Sequence, residues 1–229
     1  MNAVMVARGR PKLTQQAIMT ITGNSPNSLR LTVVDDDGTH GTLRYQCALG
    51  NGPAPIEVAI APNQDHVLGF LKNFGVEHGE LLQFRSPDGL LYLSDNDAYF
   101  TPGWYERMTT LLPLAEKEGF RLLGGQNHPY HLPIAEAVGG HVREYNAIAG
   151  TSWLMTWKTW DEFGPLVETG GPGIGKSEDG DFCAKIRAAG YRVGAVWPPV
   201  VYDCGITNTD GKRCPGAEHI KRHEGVIYE

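Results

Sequence analysis

No stretch of about 18 consecutive apolar residues occurs in this chain, and a helix that crosses a bilayer needs about that many. No membrane span is therefore expected. The opening residues, MNAVMVARGRPK, hold too short an apolar run for a signal peptide. They read instead as a first strand that begins almost at residue 1. Cysteine is scarce: Cys47, Cys183, Cys204 and Cys214 form no CxxC pair, which argues against a zinc site. Cys183 falls on an expected helix and reads as a core residue. Cys204 and Cys214 can pair, although nothing requires it. Without an export signal, reduced thiols and a cytoplasmic location are the expectation. Positive charge is also in short supply. A formal net charge of −6 argues against a protein built to wrap nucleic acid. Two local basic strips remain, Arg8, Arg10 and Lys12 near one end and Lys212, Arg213, Lys221 and Arg222 near the other. Each reads as a solvated edge or a phosphate contact. Internal repeats and low-complexity tracts are absent. With 229 residues of which 41% are hydrophobic, there is ample material for one large domain and its core.

What is present is most informative at Leu90 to Asp97, LLYLSDND. An apolar run suited to a buried strand stops at two aspartates with one residue between them. Both carboxylates can face a cleft at the strand's end and hold a divalent cation through hard oxygen ligands. Mn2+ or Mg2+ bound in this way usually grips substrate phosphates as well. The same residues admit other readings. Asp-Asn-Asp is good turn chemistry. A calcium loop counted from Asp95 has its twelfth-position acid in Glu106, but Phe100 stands where the sixth-position glycine is needed. A haloacid-dehalogenase-type phosphohydrolase would use the first aspartate as nucleophile and the second as acid. That arrangement expects the motif near the N-terminus, and Tyr99 stands where a small residue belongs.

Strands and helices alternate through the first half. Val4 to Ala7, Leu29 to Val34, Ile56 to Ile60 and Leu90 to Leu93 read as strands. Helices are expected over about Thr14 to Thr22, after a cap at Asp65, and from a Thr101-Pro102 start to Glu118 with Gly119 as its stop. Pro113 is a candidate kink in the last of these. Phe120 to Leu123 and Thr151 to Trp157 follow as strands, and Lys158 to Phe163 as a short helix. Glu178 to Ala189 reads as a helix closed by Gly190, and Tyr191 to Val196 as a strand. Gly124 to Asn146 reads as one long irregular segment, a length that is often functional. The alternation implies an α/β fold with a mostly parallel sheet and helices on both faces. Ligands of such sheets bind outside the carboxyl ends of the strands, where Asp35–Asp37 and Asp95–Asp97 both fall.

Motifs in this order, a first loop with Arg10-Pro11, VVDDDG, LGFLKN, LSDND and GTSWLM followed by SEDGDFCAKIRAAGYRV, resemble the inverting family 2 glycosyltransferases of the GT-A fold. The resemblance spans about residues 4 to 203. It implies a single Rossmann-like GT-A domain over residues 1–229, with a nucleotide-sugar-binding half at 1–97, an acceptor-binding half at 98–204 and a tail at 205–229. It also implies that Asp35 and Asp36 accept hydrogen bonds from the nucleotide base, beside the plainer reading of an Asp-Gly turn. Arg8 and Arg10 fall where the family contacts the nucleotide, although ARGRP departs from the tyrosine or asparagine usual there. Lys72 matches a basic position near base or phosphates, with a solvated lysine as the plainer reading. Asp95 and Asp97 match the metal motif, with Asn96 between them on the donor side. Asp203 stands where many relatives carry a third, histidine ligand, and His219 and His223 in the tail are its rivals.

On the acceptor side, Glu178 and Asp179 match the acidic pair that opens a helix, and Asp179 is the candidate general base. The plainer reading is a Ser177 cap with Glu178, Asp179 and Asp181 complementing the helix dipole. The preceding GGPGIGK resembles a glycine-rich loop that closes over donor sugar; its spacing is not that of a Walker phosphate loop. Trp153 matches a position beneath the acceptor, although core packing is the commoner fate of a tryptophan. His128 and His131 are further acceptor-site candidates. The implied activity is metal-dependent transfer of a sugar from a nucleoside-diphosphate sugar, with UDP the expected nucleotide, to an acceptor hydroxyl. The acceptor is a glycan, a protein or a modified nucleic acid. Three further readings stay open: a retaining transferase, a nucleotidyltransferase, and a non-catalytic domain that binds sugar or nucleotide.

Overall fold

The computed structural model describes residues 1–7, 10–36, 56–61, 68–78, 85–128, 131–167 and 178–204. Its frame is a nine-stranded sheet in the order β3-β2-β1-β4-β9-β6-β10-β8-β7. The strands are β1 (Asn2–Ala7), β2 (Arg30–Asp35), β3 (Ile56–Ile60), β4 (Leu90–Asp95), β6 (Phe120–Gly124), β7 (Ala135–Ala137), β8 (Val142–Tyr145), β9 (Ser152–Thr156) and β10 (Arg192–Val196). β3, β2, β1 and β4 run parallel, β9 runs antiparallel to both β4 and β6, and β10 is parallel to β6. A separate two-stranded ladder joins β5 (Ala98–Phe100) to β11 (Val201–Asp203).

Period-two alternation in β1 divides its side chains between two cores. Ala3, Met5 and Ala7 meet α1 (Pro11–Gly23) and α3 (Trp104–Lys117), through Ala17, Ile18 and Ile21 from the first and Trp104, Met108 and Leu112 from the second. Val4 and Val6 face the opposite core, with Leu71 of α2 (Leu68–His78), Trp157 and Trp160 of α4 (Trp157–Phe163), and Phe182 and Ile186 of α5 (Glu178–Ala188). Helices thus cover both faces, as the alternation of the sequence predicts. α2 lies very close to the sheet: a Cβ on Gly75 would stand 2.4 Å from Val4 Cγ1 and 2.6 Å from Val34 Cγ2. α3 and α5 end where glycine was expected to end them, at Gly119 (φ 87°) and Gly190 (φ 86°), both in the left-handed region that favours glycine.

Several local expectations are corrected. α3 begins at Trp104 rather than at the Thr101-Pro102 pair. Thr101 is taken by the chain next to β11 instead, and both its N–H and its hydroxyl donate to Val200 O, at 3.1 and 2.8 Å. Pro113 lies on the exposed side of a helix that continues through it. α4 starts one residue early, with Thr156 as cap accepting from the Thr159 N–H at 3.3 Å. The segment after β6 is not wholly irregular, because β7 and β8 extend the sheet edge from β10. Cys204 is disulfide-bonded, so the expectation of reduced thiols fails at that position. Cys183 is buried and free, as expected of a core cysteine, and burial pushes its thiol up to about 12. No helix among the described residues is long and apolar enough to cross a membrane.

Candidate functional site

Parallel register brings the acidic strand ends to one edge of the sheet. Ala7 pairs with Asp35 and Val6 with Asp95. Because β9 runs the other way, its N-terminal approach reaches the same edge, where the Asp95 N–H donates to Thr151 O at 3.2 Å. Asn127 holds that approach in place. Its Oδ1 accepts from the Ala149 N–H at 3.0 Å and its Nδ2 donates to Ala147 O at 3.2 Å.

Lys72 is the centre of this edge. It is fully buried on α2, and Nζ lies 3.1 Å from Asp95 Oδ1, 3.4 Å from Glu178 Oε1 and 3.0 Å from Gly150 O. Burial alone would lower its pKa. The charges of Asp95, Glu178 and Asp179 outweigh burial and raise it, so the ammonium stays charged. Asn73 fixes the helix beside it, donating to Leu166 O at 3.0 Å and accepting from the Leu166 N–H at 2.8 Å. Gly150 is clasped from both sides. Its carbonyl takes Lys72, and its N–H donates to Asp179 Oδ2 at 3.4 Å. A Cβ there would stand 2.9 Å from Lys72 Nζ. Asp179 Oδ1 also accepts from the Gly180 N–H at 2.7 Å, within the first turn of α5. Glu178 and Asp179 are thereby joined to Asp95 through one lysine and one glycine.

The second half of the acidic motif has a different partner. Arg10 donates to Asp97 Oδ2 at 2.5 Å. Asn96 donates to Thr14 Oγ1 of α1 at 2.7 Å. On the other side of Asp97 the β5–β11 ladder pairs Ala98 with Asp203, and the Cys204 N–H donates to Asp97 O at 2.8 Å. Burial first and the nearby charge of Asp203 second raise the Asp97 carboxyl, and Arg10 opposes them. Asp95 is pushed up to about 6, mainly by burial; Lys72 lowers it, and the charges of Asp97 and Glu178 raise it.

Among the described residues, no group of three or more His, Cys, Asp or Glu side chains gathers as a ready metal cage. Asp95 is turned onto Lys72, which leaves Asp97 and Asp203 as the adjacent pair. Two carboxylates suit a hard cation whose shell is completed by substrate phosphates. Among the described residues, the carboxylates of Asp95, Asp97, Asp203, Glu178 and Asp179 gather here with the cations Lys72 and Arg10. A divalent cation fits such a donor set.

Other expected site residues fall as follows. Asp35 and Asp36 are buried at the end of β2, with the Asp36 N–H donating to Ala7 O at 3.1 Å. His128 and His131 are partly buried and stacked, with ring centroids 6.2 Å apart, and burial lowers both while the Asp179 carboxylate opposes. Trp153 is corrected from a sugar platform to a core residue. It is fully buried, stacked on Phe182 at 5.3 Å with Lys72 Nζ 5.5 Å from its ring centroid, so no surface is left for a sugar. For Lys72 the plainer reading of a solvated lysine is corrected, because it is buried and paired at this edge; Asn96 is buried and held by Thr14. Arg8, His219, His223, Ser177 and the GGPGIGK stretch lie outside the described residues. Asn127 was not anticipated, and Gly150 entered only as the first residue of GTSWLM, with no role given to it.

No protein-family profile and no curated protein matches the chain. Solved structures do. A mannosyltransferase from Pyrobaculum calidifontis, in complex with GDP-Man and Mn2+, is 14% identical, with a TM-score of 0.58 over 86% of this chain and 54% of its own. GalNAc-T7 with UDP, GalNAc and Mn2+ is 13% identical, with a TM-score of 0.60 over 85% of this chain and 42% of its own. A nucleoside-diphosphate-sugar pyrophosphorylase from Vibrio cholerae is 10% identical, with a TM-score of 0.56 over 90% of this chain and 96% of its own. The chain spans about half the length of the two transferases. At these identities the likeness concerns the fold, and the fold of this chain is that of the GT-A-type glycosyltransferases.

Proposed function

We propose that this chain transfers a sugar from a nucleoside-diphosphate sugar, with UDP the expected nucleotide, to an acceptor hydroxyl with inversion. The carrying observation is the ion network that links Asp95 of the acidic motif to Glu178 through Lys72, with Asp179 anchored on the same Gly150. That network supports one shared site for donor and base. Asp97 and Asp203 would hold the divalent cation, Mn2+ or Mg2+, with Asp95 behind them. When bound, the cation offsets negative charge gathering on the departing diphosphate.

The remaining work belongs to the chain. Asp35 and Asp36 accept hydrogen bonds from the base. Arg10 pairs with diphosphate oxygens, for which a guanidinium fork is well shaped. Asp179 takes the proton of the acceptor hydroxyl as that oxygen bonds to the anomeric carbon. The carbon–oxygen bond to the diphosphate breaks, and its electron pair leaves with the diphosphate. His128 and His131, kept neutral by burial, offer hydrogen bonds to acceptor hydroxyls beside that carboxylate.

A nucleotidyltransferase is the second reading, favoured by a fold likeness that covers 96% of the pyrophosphorylase. The two differ in product. Nucleotide sugars are incubated with Mn2+ and the released nucleoside diphosphate is measured; nucleoside triphosphates with sugar phosphates are followed for pyrophosphate. The proposal expects the first product. Asp97→Ala should abolish metal-dependent donor binding and with it the release, and Asp179→Asn should retain donor binding while transfer collapses. Pyrophosphate release alone, or normal transfer by Asp179→Asn, contradicts it.

A further inference from the structure

Arg10 is one of two non-glycine residues with positive φ among the described residues, at 54°. That left-handed backbone is costly for an arginine, yet it is held firmly. The Arg10 carbonyl accepts from the Leu13 and Thr14 N–H groups at 3.0 Å each and from the Thr14 hydroxyl at 3.2 Å, closing the first turn of α1. Thr14 in turn accepts from Asn96, inside the acidic motif, at 2.7 Å. The start of α1 and the Asp95–Asp97 turn are therefore fastened together, and the fastening aims the Arg10 side chain at Asp97. Its guanidinium donates to Oδ2 at 2.5 Å while the side chain remains 54% exposed.

Resting on the transferase reading, we infer that Arg10 is a tethered competitor for the cation's ligand. It covers Asp97 Oδ2 until a diphosphate draws it away, so that metal and donor bind cooperatively. The physical reason is direct. Asp97 Oδ2 cannot give the same lone pairs to a guanidinium and to a hard cation, and a positive charge at that distance also repels a divalent ion. A nucleoside diphosphate supplies several anionic oxygens that accept an arginine in bidentate fashion. Once Arg10 has turned to them, Asp97 is released beside Asp203. Each ligand then raises the affinity of the other by the same factor. The half-exposed side chain has room to turn, and the fixed backbone keeps it within reach of both partners.

The test is Mn2+ binding followed by electron paramagnetic resonance, with and without UDP, and needs no turnover. Arg10→Asn is the variant of choice, because asparagine tolerates the left-handed backbone; Arg10→Gly is the second. Lys12→Gln removes an equal charge from the exposed surface two residues away. A half-exposed ion pair of ordinary strength predicts that both Arg10 variants bind Mn2+ alone up to about five-fold more tightly than wild type. UDP should tighten Mn2+ binding by a smaller factor in those variants than in wild type, and Lys12→Gln should match wild type. Equal Mn2+ affinity in wild type and both Arg10 variants overturns the inference and leaves the metal site standing. Tightening by Lys12→Gln equal to that of Arg10→Asn overturns it too, because the effect is then general charge. Unchanged Mn2+ binding by Asp97→Ala, or none by any form, removes the metal site itself and the competitor with it.

Discussion

Replacing Lys72 by methionine isolates the cation on which the site is organised. Methionine keeps most of the side chain's volume, so the change removes charge more than packing. The ammonium has no exposed surface and lies 3.1 Å from Asp95, 3.4 Å from Glu178 and 3.0 Å from Gly150 O. Removing one partner from a buried ion cluster leaves uncompensated charge and costs about 3–5 kcal/mol. For a chain of this size that lowers Tm by about 6–20 °C. The loss should depend on pH. The folded-state pKa of Lys72 is raised above its ordinary 10.5, so wild type keeps the whole contribution below that value and loses it only as pH rises past the folded pKa. In the variant, Asp95 loses the cation that lowers it and titrates above about 6. Protonating it relieves the stranded charge, so the penalty is largest at pH 8 and shrinks towards pH 5. Urea unfolding of both proteins in EDTA at the two pH values measures this. A difference under about 1 kcal/mol at pH 8, or one that does not change with pH, would refute the role given to Lys72.

Two further substitutions probe the packing that holds the site in place. Gly75→Ala drives a methyl against Val4 and Val34, at 2.4 and 2.6 Å, and should destabilise by at least about 1–3 kcal/mol in urea unfolding. A neutral result would mean that α2 can lift from the sheet without cost. Gly150→Ala sets a methyl 2.9 Å from Lys72 Nζ and 3.5 Å from Asp179 Cβ. It should lower the maximal transfer rate well beyond any change in Tm, because a misplacement of a few tenths of an ångström at a base is costly. A rate loss no larger than the loss of folded protein would assign Gly150 a purely structural part.

The sheet edge was legible in the sequence because its chemistry is local. LLYLSDND announces both a buried strand and its acidic end, and β4 closes at Asp95. Gly119 and Gly190 announce helix ends in the same way. The partners of the site were not legible. Lys72 sits in LGFLKN like any solvated lysine, and only tertiary contacts, to Asp95 and to residues 78 and 106 positions away, reveal it as buried and paired. Trp153 alternates correctly for a strand, but nothing local tells whether its ring meets a sugar or Phe182. β5, β7, β8 and β11 are three or four residues long, too short for a period to register; β5 pairs with distant β11 and β8 with distant β10, while β7 pairs with its neighbour β8. Arg10 carried a positive charge of evident interest, but its left-handed backbone and its hold on Asp97 are properties of the folded chain.

The most direct test of the account is a panel of nucleotide sugars assayed for Mn2+-dependent release of nucleoside diphosphate by wild type, Asp97→Ala and Asp179→Asn. Release by wild type that needs the metal, vanishes in the first variant and stalls in the second despite retained donor binding is the predicted outcome. Metal-independent release, or equal release by all three proteins, would contradict a shared site built on Asp97 and Asp179.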